Sequence, residues 1–247
     1  MCAVLVLSLG GFTGKEDPAQ VYRDYAAKSM EAGSRTADCQ MAITMKMGAQ
    51  ELTVDMDLDM QVTYADGNYE MAMTGKAKME DMSLPVSLYY KDGVCYMDMM
   101  GQKLKTKMDI EKTMATAGGV DPAILLNYMD KLTFEASGNG GVLSYRISQA
   151  KMNRYVMDVL QLTGQAMPKT ATAMAGVKMG SLVGETTLDK DGRAKTEEVK
   201  MNLFITAEGK TIPVSMKITC AYQQQGQDFV IQFPDLTGYT EAGLAAA

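Results

Sequence analysis

The chain has 247 residues, 47% of them apolar and 22% charged, with a net charge of −6; this is the composition of a folded globular protein large enough to bury a substantial core. No run of Lys or Arg supplies the basic face that nucleic acid or an anionic lipid surface requires. His and Trp are absent and aromatic content is 7%, which excludes His-based metal sites and Ser-His or Cys-His nucleophile pairs and disfavours stacking sites for bases or sugars.

Residues 1–12, MCAVLVLSLGGF, form a short apolar run from Ala3 to Leu9, followed by the small residues Gly10 and Gly11 and then a polar stretch. The run is shorter than the ~20 residues a membrane-spanning helix needs. It reads as an export segment, with an ordinary apolar strand or helix as the alternative. Residues 1–16 are therefore assigned to export and linkage, 17–240 to one domain and 241–247 to a tail. In the first helix Asp17 is the N-cap and Pro18 the first helical residue. Val21, Tyr22, Tyr25, Ala26 and Met30 share a face, and Gly33 ends the helix.

Strands joined by tight turns follow. Residues 38–48 place Cys39, Met41, Ile43, Met45 and Met47 on one side. In 51–64, ELTVDMDLDMQVTY, Leu52, Val54, Met56, Leu58, Met60 and Val62 alternate with polar residues, so one face is dry and the other acidic. Further strands are expected over 69–79 (with Met71 and Met73 inward), 84–90, 94–99 and 103–108. Asp66-Gly67 and Asp92-Gly93 supply hairpin turns. Residues 109–117, 121–131 and 151–166 carry helical spacing, with Leu125 and Met129 on the second of these segments and Val156 and Leu160 on the third. A hairpin over 133–137 and 142–149 lies between the last two, and 168–181 reads as a connection. Strands then return at 182–188, 194–206 and 211–222, with Leu203 and Ile205 on one inward face and Val214, Met216 and Ile218 on another. A last strand is expected over 228–233.

These elements predict an α+β fold: a strongly curved antiparallel sheet of about eleven strands, an unclosed half-barrel, with helices covering its concave face. Tight turns make neighbouring strands antiparallel, and the apolar stripes of the helices need the sheet's dry side. Asp189, Asp191 and Gly192 look like the start of a calcium loop, but Lys200 stands where the closing Glu would be, so a hairpin turn is expected. Asp55, Asp57 and Asp59 read as a solvated face. No converging carboxylate pair, SxxK or GxSxG motif is found, and no enzyme activity, cofactor or metal is expected. Cys39, Cys95 and Cys220 fall inside strand patterns and read as small buried hydrophobes, with a disulfide between two of them as the alternative.

The segments LGG at 9–11, DPAQVYRDYAAKSM, YADGNYEM, YYKDGVCYMDM, LDKDGRAKTEEVKMNLFI and FVIQFPDLTGY together resemble the LolA/LppX-type envelope lipoproteins, the Gram-positive surface branch above all. Phe12 stands where the lipid-bearing Cys of such proteins would be. The resemblance implies a half-barrel with a helical lid that shelters an acyl chain or lipid anchor. It also implies an exported protein at the cell surface or envelope, with the membrane surface as a partner through an N-terminal anchor, and a monomer is expected.

The 24 methionines fall mainly on the dry side of strands. Met is flexible and polarisable and adapts to irregular partners, whereas a self-filled core favours Ile, Leu and Val. Copper(I) binding by thioethers would need clustered, exposed Met. The expected ligand is a lipid or other long apolar molecule. Its expected lining is Met41, Ile43, Met45, Val54, Met56, Leu58, Met60, Met71, Met73, Leu125, Met129, Val156, Leu160, Leu203, Ile205, Val214, Met216 and Ile218. The competing expectation is a structural or sensory module whose trough is filled by its own helices.

Overall fold

A computed structural model describes residues 16–65, 68–99, 101–107, 122–162, 177–207 and 209–241, with the backbone alone at 122–124, 159–162 and 207. Helix α1 (Pro18–Glu31) starts as its sequence dictates: the Asp17 carboxylate accepts from the Ala19 N–H at 3.1 Å, and Pro18 occupies the first turn. Gly33, at φ +62°, turns the chain out of the helix. A Cβ there would crowd the Tyr64 carbonyl at 3.2 Å, so Gly is required both for the backbone angle and for the close approach.

Strands β1 (Arg35–Met47), β2 (Gln50–Ala65), β3 (Asn68–Met79), β4 (Met82–Lys91), β5 (Val94–Met99) and β6 (Gln102–Lys107) form one meander. A 3-10 helix (Pro122–Tyr128), strands β7 (Lys131–Ser137) and β8 (Gly140–Ile147), and helix α2 (Gln149–Leu162) come next. They are followed by β9 (Val177–Leu188), β10 (Ala194–Ala207), β11 (Lys210–Gln225) and β12 (Thr240–Glu241). All twelve strands belong to one open sheet in the order β12-β6-β5-β4-β3-β2-β1-β11-β10-β9-β8-β7. Two wings, β1–β6 and β7–β11, therefore meet at the β1–β11 seam. At that seam Cys39 and Cys220 face each other with Cα atoms 4.2 Å apart and are joined by a disulfide, while Cys95 is free. This corrects the reading of Cys39 and Cys220 as separate buried hydrophobes: the seam register places them opposite one another on adjacent strands.

Two sequence assignments change. Residues 228–233 are not a strand. β11 already has β1 on one side and β10 on the other, so the chain leaving it has no adjacent edge to pair with. It crosses the outer face instead, where Ile231 packs with Ala72 and Tyr89, and Phe229, Phe233, Tyr96 and Leu236 surround them. It then reaches β6, and β12 pairs there in parallel, Thr240 opposite Leu104. Likewise β9 begins at Val177, inside the stretch expected to connect. β8 pairs only with the Leu182–Leu188 part of β9. The Asn153 side chain of α2 accepts from the Met179 N–H at 3.2 Å and donates to its carbonyl at 3.0 Å. An amide thus stands in for the missing strand neighbour. The helix expected over 109–117 lies outside the described residues. None of the described helices is long and apolar enough to cross a membrane.

α1 roofs the second wing. Val21, Tyr22 and Ala26 pack with Leu143 and Leu188, and Leu125, Leu126, Met129, Leu132 and Phe134 surround them. The 3-10 helix and α2 are tied together by a Tyr128–Tyr155 edge-to-face contact at 5.3 Å, a Tyr128 hydrogen bond to Asp158 and a Lys151–Asp130 ion pair at 3.0 Å.

Candidate functional site

Strand register decides which side chains face the concave side. Met41 lies opposite Met56 and Ile218; Ile43 opposite Val54 and Met216; Met45 opposite Leu52 and Val214. Across the next ladders Met216 faces Met201, Val214 faces Leu203, Ile212 faces Ile205 and Met60 faces Met73. The period-two alternation of each strand puts all of these on one surface. The expected residues Met41, Ile43, Met45, Val54, Met56, Leu58, Met60, Met71, Met73, Leu203, Ile205, Val214, Met216 and Ile218 are thereby brought to one face. Leu58 and Val214 are buried there and the others half-buried. Among the described methionines Met152, on α2, is the one that is buried.

Four expected residues belong to the roof. Leu125 and Met129 pack into the α1 core and do not join the methionine rows. Val156 is half-buried on α2, and the Leu160 side chain lies outside the described residues. At the rim formed by the β1–β2, β3–β4 and β5–β6 turns, Met47, Met82 and Met99 are exposed.

Sequence reading missed a polar cluster on this apolar face. Glu197 of β10 lies opposite Cys220 of β11 and Thr186 of β9, both inward positions. Its part-buried carboxylate accepts hydrogen bonds from the Tyr25 hydroxyl of α1 and the Tyr222 hydroxyl of β11. Tyr22 stands edge-to-face with Tyr25 at 6.0 Å and with Tyr145 at 6.1 Å. Tyr145 lies flat over Gly184, where a Cβ would sit 2.1 Å from its ring; the bare glycine lets the phenol reach across the sheet towards β10. Burial holds the Glu197 carboxyl above the ordinary glutamate range, opposed by the Tyr222 hydrogen bond, and burial pushes the Tyr22 and Tyr222 hydroxyls up. Glu198 points the other way and pairs with Lys200 at 2.6 Å and Lys217 at 2.9 Å. Alternation carried the signal: Glu197 shares the parity of Val199, Met201, Leu203 and Ile205.

The outer face holds the remaining candidates. Asp57 pairs with Lys78 at 3.5 Å across the ladder. The Asp189 carboxylate is spent on the N–H groups of Asp191 at 2.8 Å and Arg193 at 2.9 Å, a hairpin turn as expected. Two open recesses lie on this side, about 450 Å³ at Thr187, Asp189, Lys190 and Lys195 and about 280 Å³ at Asp38, Asp57, Gly75 and Lys76.

Solved structures similar to this chain include the lipoprotein LppX of Mycobacterium tuberculosis, at 12% identity over 88% of this chain and 100% of that one, with a TM-score of 0.44. LprF from Mycobacterium bovis aligns at 13% identity over 91% and 99%, TM-score 0.41. A putative outer membrane lipoprotein-sorting protein domain from Vibrio parahaemolyticus aligns at 7% identity over 83% and 92%, TM-score 0.27. No curated protein matches the chain. A family model described as a family of unknown function, DUF6612, matches residues 18–235, and the chain belongs to that family.

Proposed function

We propose that this is an exported envelope protein that holds a lipid or another long apolar molecule in the methionine-lined hollow between the curved sheet and its helices, for carriage or presentation. The observation that carries the reading is the state of the inward methionines: Met41, Met45, Met56, Met60, Met71, Met73, Met201 and Met216 share the concave face and none is buried. A face that wants to be dry is left half-open, and thioether chains can reshape around a guest. A sixteen-carbon chain sheltered there gains on the order of 10 kcal/mol gross at ~0.8 kcal/mol per CH₂, and ordering and association costs offset part of it. Micromolar binding follows without covalent chemistry.

One observation favours a structural or sensory module instead: in the second wing α1 packs over the concave face so well that Leu143 is 0% exposed. Organic extraction of the purified protein followed by mass spectrometry separates the two. A long-chain lipid recovered in near-stoichiometric amount supports the carrier. Its absence, together with no uptake of a fluorescent fatty acid, supports the self-filled module.

A further inference from the structure

The apolar inward rows of β10 and β11 end at a carboxylate, Glu197, and Arg35 takes an inward position on β1, opposite Val62. Glu197 faces inward with two phenol donors, Tyr25 and Tyr222, and it takes part in none of the ion pairs among the described residues. Arg35 lies close enough to Tyr222 and Tyr69 to favour their ionised forms, but it forms no ion pair with Glu197. Neutral phenol donors satisfy lone pairs of the carboxyl group without supplying a countercharge.

The cluster is also placed at the end of the apolar path. Inward positions on β10 run Leu203, Met201, Val199 and Glu197, and their partners on β11 run Val214, Met216, Ile218 and Cys220. Six residues of strand span roughly 20 Å, on the order of a sixteen-carbon alkyl chain. A chain lying along these rows brings its head to Glu197.

We infer that the ligand carries an ammonium head on a long alkyl chain, and that Glu197, framed by Tyr22, Tyr25, Tyr145 and Tyr222, receives that head. The inference rests on the carrier reading above and names the chemistry it selects. The head belongs either to an amine-bearing membrane lipid or to a free cationic amphiphile.

The test is displacement of a neutral solvatochromic dye from the wild-type protein by dodecylammonium, dodecanol and dodecanoate, all below their micellar concentrations. Dodecylammonium is expected to displace the dye at about tenfold lower concentration than the other two, the scale of one charge-assisted contact. Glu197→Gln is expected to erase that advantage, bringing dodecylammonium to the level of dodecanol. If the variant does not fold, the wild-type ranking alone decides. Dye binding with no ranking overturns this inference and leaves the carrier reading intact; no dye binding overturns both. Incubation with phosphatidylethanolamine vesicles, followed by extraction, identifies the source: recovered lipid assigns the head to a membrane component, and dodecylammonium binding without recovered lipid assigns it to a free amphiphile.

Discussion

The two wings of one sheet solve the same problem in opposite ways. In the β7–β11 wing the concave face is covered by α1 and the 3-10 helix; Leu143 and Leu188 are sealed, and the Glu197 carboxyl group is bound by tyrosines. The β1–β6 wing is covered on its other side as well. The C-terminal segment packs its Phe229, Ile231 and Phe233 on the convex face, with Lys91 over the Phe233 ring at 4.8 Å and Tyr96 against Tyr239 at 5.4 Å. Its concave methionines Met56, Met60 and Met73 stay half-buried around the buried Ala37, Cys39 and Leu58. In both wings the sealed strand positions carry small, branched or aromatic residues, and the described strand methionines are nowhere buried. The difference teaches that composition here tracks what each surface is built to touch.

The largest break comes at the seam. Cys39→Ser with Cys220→Ser opens a link between residues 181 apart in sequence, and the loss of so long a closed loop costs about 2–5 kcal/mol. Denaturant unfolding with and without reductant measures it, and the wild type under reductant is expected to fall to the level of the double variant.

The wings themselves are compared by truncation. Leu143→Ala, at a site 0% exposed, is expected to cost about 2–5 kcal/mol. Met56→Ala, half-buried on the open face, is expected to cost about 1 kcal/mol and to weaken apolar ligand uptake more than it weakens the fold. Equal stability losses would erase the distinction between the wings.

At the roof, Asp17→Ala removes the cap on α1 seen at Ala19. The expected loss is about 1 kcal/mol in thermal unfolding, with ligand uptake unchanged.

The smallest effect is a slope. Glu197 has its carboxyl raised by burial, so its favourable contribution is complete below the ordinary glutamate value and is lost as pH rises through the raised one. Tyr22 and Tyr25 face it from α1, Tyr145 from β8, Thr186 from β9 and Tyr222 from β11. Glu198, Asp130 and Asp235 are shifted down by their hydrogen bonds and act in the opposite sense, losing stability as pH falls. The difference between wild type and Glu197→Gln therefore isolates the one group. The wild type should weaken relative to the variant as pH rises from about 4.5, and parallel curves would remove Glu197 from the account.

Much of this fold was legible because its signals are local. The alternation of 51–64 and the Asp-Gly turns fix strands and hairpins without knowledge of the rest of the chain, and Asp17-Pro18 fixes where α1 starts. The path of 228–241 was not legible. Phe229, Ile231 and Phe233 alternate as a strand would, and only the sheet order shows that β11 has no free edge for them. The disulfide needed the same non-local fact, that β1 pairs with β11. At the site, the inward methionines followed from parity alone. Glu197 carried that same parity, but a glutamate on a dry face makes sense only once Tyr25, Tyr145 and Tyr222, from three distant elements, are seen around it.

The half-open methionine face is tested most directly by photolabelling. A long-chain alkyl diazirine is equilibrated with the intact, disulfide-bonded protein, irradiated, and its adducts located by peptide mass spectrometry. The account expects adducts concentrated on Met41, Met56, Met60, Met73, Met201 and Met216, with competition by unlabelled alkyl ligand. Adducts confined to the convex face around Val230 and Phe233, or no competable adducts at all, would contradict it.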